Sequence, residues 1–311
     1  MYIGIDVGGT KCAVVLGDEN LNIIKKVAFE TRGADETLER IFSEVAGMPS
    51  CRGIGISCGG PLDEERGVIL SPPNLPGWDE VHIVDELGKR FGVPAVLRND
   101  ANACALAEYR FGAGRGSRNM IFLTFGTGLG AGLILDGKLY SGSSGMAGEV
   151  GHIRLEDDGP VGYGKRGSFE GFCSGGGIAQ LGRSLAMKRL SDAVPTRLAA
   201  SEADLADITA KRIAELAKEG DPDAVSIFEQ SAEHLGRGLA VLVDILNPDR
   251  IVIGSIYERC EKLLAPRMNE VLMCESLRES YSVCRVVPAA LGDRIGDVAA
   301  LSVAINEFGG K

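Results

Sequence analysis

The chain has 311 residues, 45% of them hydrophobic, which is enough apolar material for two domains that each bury a core. Its formal net charge of -10 disfavours contact with nucleic-acid phosphates, and the basic residues are scattered rather than gathered in a patch. No run of roughly eighteen apolar residues is present, and the opening segment, residues 2–7, lacks the basic head of a secretion signal. Composition therefore predicts a globular cytoplasmic protein that binds neither nucleic acid nor a membrane.

The cysteines are the second compositional feature. They include no C-x-x-C pair, and several lie in apolar runs typical of strands or helices. Reduced, buried thiols explain this pattern better than a disulfide framework does. The eight residues are Cys12, Cys51, Cys58, Cys104, Cys173, Cys260, Cys274 and Cys284.

The first part of the chain predicts a β-meander followed by alternating helices and strands. Short apolar runs bounded by glycine, proline and polar residues indicate the strands, and amphipathic spacing indicates the helices. The predicted elements are strands at 2–7, 11–16 and 23–31, a helix at 34–46, strands at 53–57 and 93–97, and a helix at 99–110 capped by Asn99 or Asp100.

The second part of the chain repeats this opening. A strand-like run at 120–125 enters a glycine- and threonine-rich turn at 126–130 and leaves along 131–135, as residues 2–16 do earlier. The two copies lie roughly 120 residues apart, which is too far for a solenoid repeat and fits two duplicated α/β domains.

The remaining elements follow a glycine-rich stretch at 141–177. Parallel-type strands alternate with helices here, which is typical of an α/β protein rather than of segregated α and β regions. The predicted elements are helices near 178–189, 202–218 and 223–246, a strand at 250–253, a helix from about 257, a strand at 282–287 and a terminal helix from about 293.

The segment 6–11 (DVGGTK) places a carboxylate at a strand end, before a glycine-glycine turn and a hydroxyl. Backbone N–H groups in such a turn can approach phosphate oxygens, and Asp6 can hold Mg2+ through water. Taken alone, the segment fits an ordinary tight hairpin better, because primed turns also use Gly-Gly.

The second turn, 124–130 (TFGTGLG), favours phosphate binding over an ordinary hairpin, because two similar turns in duplicated domains can hold one nucleotide from opposite sides. It lacks the G-x-x-x-x-G-K-[ST] pattern of a Walker loop, and the strand that follows its glycines disfavours a Rossmann site. A third close approach is indicated at Gly254-Ser255, although an ordinary strand-to-helix turn explains that dipeptide better when it is taken alone.

The segment 98–102 (RNDAN) lies where a predicted strand ends and a helix begins. This position projects the Asp100 carboxylate into a crevice at the carboxyl edge of the strand, where it can act as a base on an alcohol in phosphoryl transfer. A simple helix cap is an equally good explanation of Asp100 by itself.

Polar side chains in the glycine-rich stretch are the last motif. Glu149, His152 and Glu170 are suited to hydrogen bonds with several vicinal hydroxyls, as a sugar requires. An isolated histidine is more often structural or solvated, so the spacing from Glu149 is what raises the case for His152.

Together these segments resemble the ROK family of sugar kinases and sugar-responsive repressors, within the hexokinase and actin superfamily. The likeness covers nearly the whole chain, and seven ordered matches are far more specific than any single one. The matching segments are 6–11 (DVGGTK), 55–61 (GISCGGP), 73–78 (PNLPGW), 99–102 (NDAN), 124–130 (TFGTGLG), 148–152 (GEVGH), and Asn247-Pro248 before Gly254.

The resemblance implies a two-domain α/β fold of the actin-like ATPase (ribonuclease H-like) type, with the active site in the interdomain cleft and closure over the sugar. A small domain would comprise residues 1–112 and the terminal helix 296–311, and a large domain residues 113–295. The implied activity is Mg2+- and ATP-dependent phosphorylation of a hexose hydroxyl.

The resemblance also implies a set of site residues, with Asp100 as the catalytic base. Asn99, Asp100, Glu149, His152 and Glu170 would hold the sugar, and Gly60 and Asn74 would line its pocket. The nucleotide would be contacted by Asp6, Gly8, Gly9, Thr10, Lys11, Thr124, Gly126, Thr127, Gly128 and Gly254, with Asp6 close to Mg2+ through water.

One departure from the family pattern concerns zinc. The family commonly binds zinc with a histidine at the position of His152 and three cysteines in a C-x-C-G-x-x-G-C pattern. Here Val161, Tyr163 and Ser168 stand roughly where those thiolates would be, and Cys173 is a single remaining thiol. Without soft ligands at tetrahedral spacing, we expect no structural zinc.

Two other classes of function remain as alternatives. The first is a non-catalytic, sugar-sensing regulator, although the DNA-binding segment of the repressor branch precedes the first strand, which here begins at residue 2. The second is an actin-like ATPase without a sugar substrate, which the Asn99-Asp100 and Glu149-x-x-His152 pairs disfavour.

The identity of the sugar is the most detailed part of the functional prediction. The stretch 72–78 is most similar to glucokinase-type members, so glucose is the first choice, with N-acetylmannosamine, fructose and allose as alternatives. The expected partners are the sugar and ATP, and a homodimer would be consistent with the family.

Overall fold

The structure is a computed structural model that describes residues 1–310, and it divides into two compact units. Unit 1 comprises Met1–Gly116, Gly132–Ala147 and the chain from Ala290 onward, and unit 2 comprises Ser117–Ala131 and Gly148–Ala289. Three stretches of chain therefore build unit 1, and two build unit 2. The domain limits expected from the sequence stay a prediction.

Residues 1–310 contain fourteen strands, ten α-helices and three short 3-10 helices. The strands are β1 Tyr2–Val7, β2 Lys11–Gly17, β3 Ile23–Glu30, β4 Ile54–Cys58, β5 Leu62–Asp63, β6 Val68–Ile69, β7 Ala95–Asn99, β8 Met120–Phe125, β9 Leu129–Leu135, β10 Lys138–Tyr140, β11 Val161–Gly162, β12 Lys165–Arg166, β13 Arg250–Ile253 and β14 Arg285–Pro288. The α-helices are α1 Ala34–Ala46, α2 Ile83–Phe91, α3 Asp100–Phe111, α4 Phe169–Phe172, α5 Gly175–Ser191, α6 Ala210–Lys218, α7 Pro222–Leu246, α8 Ile256–Glu275, α9 Arg278–Val283 and α10 Ile295–Phe308. The 3-10 helices are Val150–His152, Glu202–Asp207 and Gly292–Arg294.

Unit 1 is built on a mixed five-stranded sheet with the order β3-β2-β1-β4-β7. β1, β2 and β3 pair antiparallel, which is the predicted meander, and β4 and β7 extend the sheet in parallel. In this register Val7 lies beside Cys58, and Cys58 lies beside Asn99. The carboxyl ends of β1, β4 and β7 therefore meet at one edge, where ligands of open α/β sheets bind.

Helix α10 covers one face of this sheet by packing on β1 and β4. A Cβ added to Gly55 would stand 2.2 Å from the Ala300 carbonyl oxygen, so only glycine permits this close approach of helix and strand. On the other face, Ile41 of α1 and Leu87 of α2 join the buried apolar cluster. The central strand is therefore covered on both faces, which explains its run of apolar residues.

The second sheet has the order β10-β9-β8-β13-β14, and β8, β13 and β14 run parallel. A central strand, a glycine-rich turn and a neighbouring strand thus recur, as the sequence repeat predicts. Parallel strands alternate with helices in both units, so the predicted α/β class is confirmed.

Two predicted elements differ from the structure. The helix expected at 202–218 is divided into a 3-10 helix and α6, because Thr209 is extended and its side chain caps α6 by accepting a hydrogen bond from Arg212 N at 3.2 Å. The strand expected at 282–287 begins only at Arg285, because the preceding residues continue as α9 and Cys284 is the first extended residue.

Burial of the thiols follows the expectation in part. Among the eight cysteines, all within the described residues, Cys12, Cys58, Cys173 and Cys260 are buried, whereas Cys274 is exposed, so the prediction is wrong for that residue. Within residues 1–310, no helix combines the length and the apolar character that a transmembrane span requires.

Candidate functional site

The first glycine-rich turn joins β1 to β2 in unit 1. Gly8 N donates to the Lys11 carbonyl at 3.2 Å, so the turn is closed by its own backbone. The hydroxyl of Thr31, which lies between β3 and α1, donates to the Gly8 carbonyl at 2.5 Å and holds the turn from that side. A Cβ on Gly9 would stand 2.5 Å from the Asn74 carbonyl oxygen. The turn is therefore a hairpin that packs directly on Asn74.

Asp6 is the penultimate residue of β1, the strand before this turn, and its carboxyl has a raised pKa. Burial first, and then the charges of Asp100 and Asp297, raise its pKa to about 7, while Lys26 opposes the shift. Lys26 itself is paired with Asp297, with 2.5 Å between Nζ and Oδ1. Asp6 thus lies near two other carboxylates, and a bound cation would reduce the repulsion among them. Carboxylate oxygens are also ligands that suit Mg2+.

Asp100 is the first residue of α3, but it is not the helix cap. Asn99 is the N-cap, and its Oδ1 accepts a hydrogen bond from Ala101 N at 2.9 Å. Asp100 Oδ1 also accepts from Ala101 N, at 2.7 Å, while its Oδ2 faces Gly59, 4.0 Å from where a Cβ on that glycine would stand. The capping interpretation therefore accounts for Asn99 and leaves Asp100 available for chemistry.

Electrostatics around Asp100 favour a carboxyl that binds protons readily. The protein atoms packed around this group raise its pKa by desolvation, although the residue remains solvent-accessible, and hydrogen bonds from backbone N–H groups act in the opposite direction. Desolvation and then the Asp100 charge also raise the pKa values of the Cys58 and Cys104 thiols. These cysteines are protonated neighbours rather than nucleophiles.

The other predicted sugar residues of unit 1 gather around the same carboxyl. A Cβ on Gly59 would stand 3.8 Å from Asn74 Nδ2, and a Cβ on Gly60 would stand 3.6 Å from Asn99 Nδ2. The structure therefore brings Gly60, Asn74, Asn99 and Asp100 together, in unit 1, at the edge where β4 and β7 end.

In unit 2 the second glycine-rich turn joins β8 to β9. Gly126 N donates to the Gly128 carbonyl at 3.0 Å, and the Thr124 hydroxyl accepts from Gly130 N at 2.9 Å. Gly254 N donates to the Leu123 carbonyl at 3.0 Å, so Gly254 lies beside the end of β8, close to this turn.

Glu170 lies against this turn. Its Oε2 accepts a hydrogen bond from Leu129 N at 2.9 Å, and a Cβ on Gly128 would stand only 2.7 Å from the same oxygen. A Cβ on Gly151 would stand 3.2 Å from the Glu170 Cβ, and Gly151 lies between Glu149 and His152 in the 3-10 helix segment. The three polar residues predicted for a sugar are therefore neighbours in unit 2.

Two parts of unit 2 were not predicted as site residues. The first is the start of α5, where Gly175 N donates to the Gly126 carbonyl at 2.8 Å and Ser174 caps the helix. The second is Ser255, whose Oγ would be 3.4 Å from a Cβ on Gly126. The run Ser-Gly-Gly-Gly at 174–177 is the signal that could have indicated a capped helix start close to the second glycine-rich turn.

The segment that the resemblance aligns with a zinc loop is a hydrogen-bonded hairpin of β11 and β12. Tyr163 is 75% exposed at its tip, and Ser168 is buried, where its Oγ accepts from Gly171 N at 3.1 Å and caps α4. Lys165 Nζ donates to the His152 carbonyl at 2.6 Å. Among residues 1–310, no group of three or more His, Cys, Asp or Glu side chains is arranged to hold a metal ion.

Comparisons with known proteins extend over nearly the whole chain. The model of the ROK family matches residues 2–307. A glucokinase from Thermotoga maritima is 34% identical over 99% of this chain and 98% of its own. An N-acetylmannosamine kinase from Salmonella typhi is 34% identical over 81% of this chain and 82% of its own. A solved ROK family glucokinase from Streptomyces griseus, in complex with glucose and AMPPNP, is 33% identical, with 98% of this chain and 99% of its own covered and a TM-score of 0.79.

Proposed function

Because the chain belongs to the ROK family and is an ATP-dependent sugar kinase, we propose that its acceptor is a hexose, with glucose as the first choice. Two of the similar proteins reported above are glucokinases, and this supports glucose. The Salmonella typhi relative makes N-acetylmannosamine the second choice, ahead of fructose and allose.

The arrangement of Asn99 and Asp100 is the observation that carries this proposal. Asn99 caps α3 through Ala101 N, an amide that Asp100 Oδ1 shares, and Asp100 Oδ2 can accept the proton of a sugar hydroxyl. The hydroxyl oxygen then forms a bond to the γ-phosphorus of ATP, the bond from that phosphorus to the β–γ bridging oxygen breaks, and ADP leaves. The raised pKa of Asp100 supports this role, since a more basic carboxylate takes the proton more readily.

The remaining polar residues hold the sugar in the proposal. Gly60, Asn74 and Asn99 contribute from the edge that carries Asp100. Glu149, His152 and Glu170 contribute from unit 2, where their proximity supports binding to several vicinal hydroxyls. Fixed orientation of the acceptor hydroxyl supplies much of the acceleration in such a reaction.

The glycine-rich turns bind the nucleotide in the proposal. In the proposal the turns at 8–11 and 126–128 contact the phosphates, Thr124 braces the second turn, and Gly254 lies on the adenosine side. Asp6 would hold Mg2+ through water, because its carboxyl lies among like charges. When bound, Mg2+ would neutralise charge that develops on the phosphate oxygens.

ADP release measured with and without a panel of hexoses tests the proposal. The panel comprises glucose, N-acetylmannosamine, fructose, mannose and allose, each with ATP and Mg2+. We expect glucose to increase turnover far above the sugar-free rate. Stimulation by another member of the panel would replace glucose with that sugar, and an unstimulated rate with every sugar would favour a non-catalytic regulator.

A further inference from the structure

Glu64 is a carboxylate with three hydrogen bonds that none of the proposed chemical steps uses. It lies in the turn between β5 and β6 of unit 1, and its side chain is only 9% exposed. Oε1 accepts from Asn99 N at 2.7 Å and from Asn102 Nδ2 at 3.1 Å. Oε2 accepts from the Ser141 hydroxyl at 3.1 Å. The Glu64 side chain therefore joins its own turn to the start of α3 and to Ser141, both of which are distant from it in sequence.

Two of these bonds hold the segment that carries Asp100. Glu64 fixes Asn99 from the strand side, while the Asn99 side chain fixes Ala101 N from the helix side. Asp100 lies between these two anchored residues. Rotation of the Asn99 backbone, which would swing the Asp100 carboxylate away from its present direction, therefore requires the Glu64 bond to break.

The third bond ties the loop that begins at Ser141 to the same carboxylate. The Ser141 carbonyl accepts from Ala147 N at 3.0 Å, so the loop 141–147 is closed at its base. This loop leads directly into Glu149. Glu64 thus connects the start of α3 with the loop 141–147, within unit 1.

We propose that Glu64 is a positioning residue that holds Asn99 and Asp100 in the orientation needed for proton removal from the sugar. This inference rests on the proposed function of Asp100 as the base. Misplacement of a reacting group by about 1 Å can cost on the order of a hundredfold in rate. A purely structural bond would instead affect the stability of the protein and leave turnover by the folded molecules unchanged.

Three variants separate these roles. Glu64→Ala removes every acceptor, whereas Glu64→Gln keeps one amide oxygen for Asn99 N and Asn102 Nδ2 and offers an NH2 group to Ser141, and it removes the negative charge whose Oε2 lies 3.9 Å from Arg98 Nη1. Glu65→Gln is the matched control, because Glu65 is the adjacent carboxylate and is exposed. Should Glu64→Ala fail to fold, Glu64→Asp takes its place, since a side chain one methylene shorter cannot reach the three donors together.

We expect Glu64→Ala to lower kcat/KM for the hexose by about thirtyfold to a hundredfold per folded molecule, with the KM for ATP within about twofold of the wild type. Glu64→Gln should retain activity within about fivefold, and Glu65→Gln should be unchanged. A folded Glu64→Ala or Glu64→Asp protein with kcat/KM within threefold of the wild type would overturn the proposal.

Amide hydrogen exchange gives a second readout that does not depend on catalysis. Glu64→Ala should speed exchange in a peptide that covers residues 97–106, and a peptide from unit 2 that covers 250–264 should be unaffected. Equal exchange of 97–106 in both proteins would also overturn the proposal. If the wild type shows no sugar-stimulated ADP release, the proposed function fails, and the exchange comparison alone then decides whether Glu64 holds this segment.

Discussion

Glu170 and Leu129 are joined by a hydrogen bond of 2.9 Å from the Leu129 amide to the Glu170 carboxylate. Leu129 directly follows the glycine-rich turn proposed for the phosphates, and Glu170 is proposed to hold the sugar. The same carboxylate oxygen lies so close to Gly128 that no side chain fits between them. One group thus links a proposed sugar contact to a proposed phosphate contact within unit 2.

The first prediction tests this link through Gly128→Ala. The added Cβ would stand 2.7 Å from Glu170 Oε2, so the carboxylate must move and its bond to Leu129 N must weaken. We expect the KM values for hexose and ATP to rise together, each by about tenfold. Steady-state kinetics with both substrates varied measures this effect.

Gly33→Ala is the control for that variant. Gly33 has a φ of -55°, and nothing lies within 4 Å of a Cβ placed on it. Its kinetics should match those of the wild type. A rise in only one of the two KM values for Gly128→Ala would show that Glu170 does not join the two sites.

The second prediction concerns the base. Asp100→Asn should leave the fold and sugar affinity intact, because Asn99 caps α3 and an asparagine oxygen can still accept from Ala101 N. Turnover should fall by about two to four orders of magnitude, since only the proton acceptor is removed. Calorimetric titration with the hexose and single-turnover kinetics measure the two quantities, and near-normal turnover would refute the role of Asp100.

The third prediction follows from the raised pKa of Asp6. The folded protein binds a proton at Asp6 up to about pH 7, whereas the unfolded chain loses it near the ordinary value of 3.8. Since the folded state binds more protons, the Asp6 contribution to the free energy of unfolding falls as pH rises from about 4 through 7. Asp6→Asn should therefore be more stable than the wild type at pH 8, by on the order of 2–4 kcal/mol, in the absence of Mg2+.

Urea unfolding in EDTA at pH 5 and at pH 8 measures this difference. The stabilisation should shrink toward pH 5, where the wild-type carboxyl is already protonated in the folded state. Glu65→Gln, at an exposed carboxylate, should show no such trend. An advantage of Asp6→Asn that is equal at both pH values would contradict the electrostatic explanation.

The fourth prediction concerns metal content. The hairpin of β11 and β12 is held by backbone pairing and by the Ser168 hydroxyl, so its stability does not depend on thiolate ligands. Metal analysis should find no stoichiometric zinc. Thermal unfolding after treatment with a strong zinc chelator should be unchanged once Mg2+ is restored. A tightly held zinc would contradict the prediction that this protein has no structural zinc site.

Much of the fold could be predicted from the sequence, because local signals agree with the tertiary structure. The meander of β1 to β3 follows from short apolar runs around Gly-Gly, and α3 follows from Asn99 ahead of a helical run. The division of the 202–218 helix at Thr209 could not be predicted with the same ease, because a threonine cap and a mid-helix threonine differ only in backbone conformation.

The site was predictable where a motif carries it and not where distant contacts form it. Asp100 and Asn99 stand in one short segment, but Glu64 lies 35 residues from Asn99 and 77 from Ser141. In the sequence, Glu64 belongs to a charged turn with Asp63 and Glu65, which is typical of a solvated loop. Its burial exists only in the folded unit, so no local pattern indicates it.

The most direct test of the central claim is detection of the phosphorylated sugar itself. Phosphorus NMR of wild-type protein with glucose, ATP and Mg2+ should show the resonance of glucose 6-phosphate growing as the γ-phosphate signal of ATP declines, with no such growth for Asp100→Asn. Loss of ATP to inorganic phosphate alone, with every hexose of the panel left unmodified, would contradict the account.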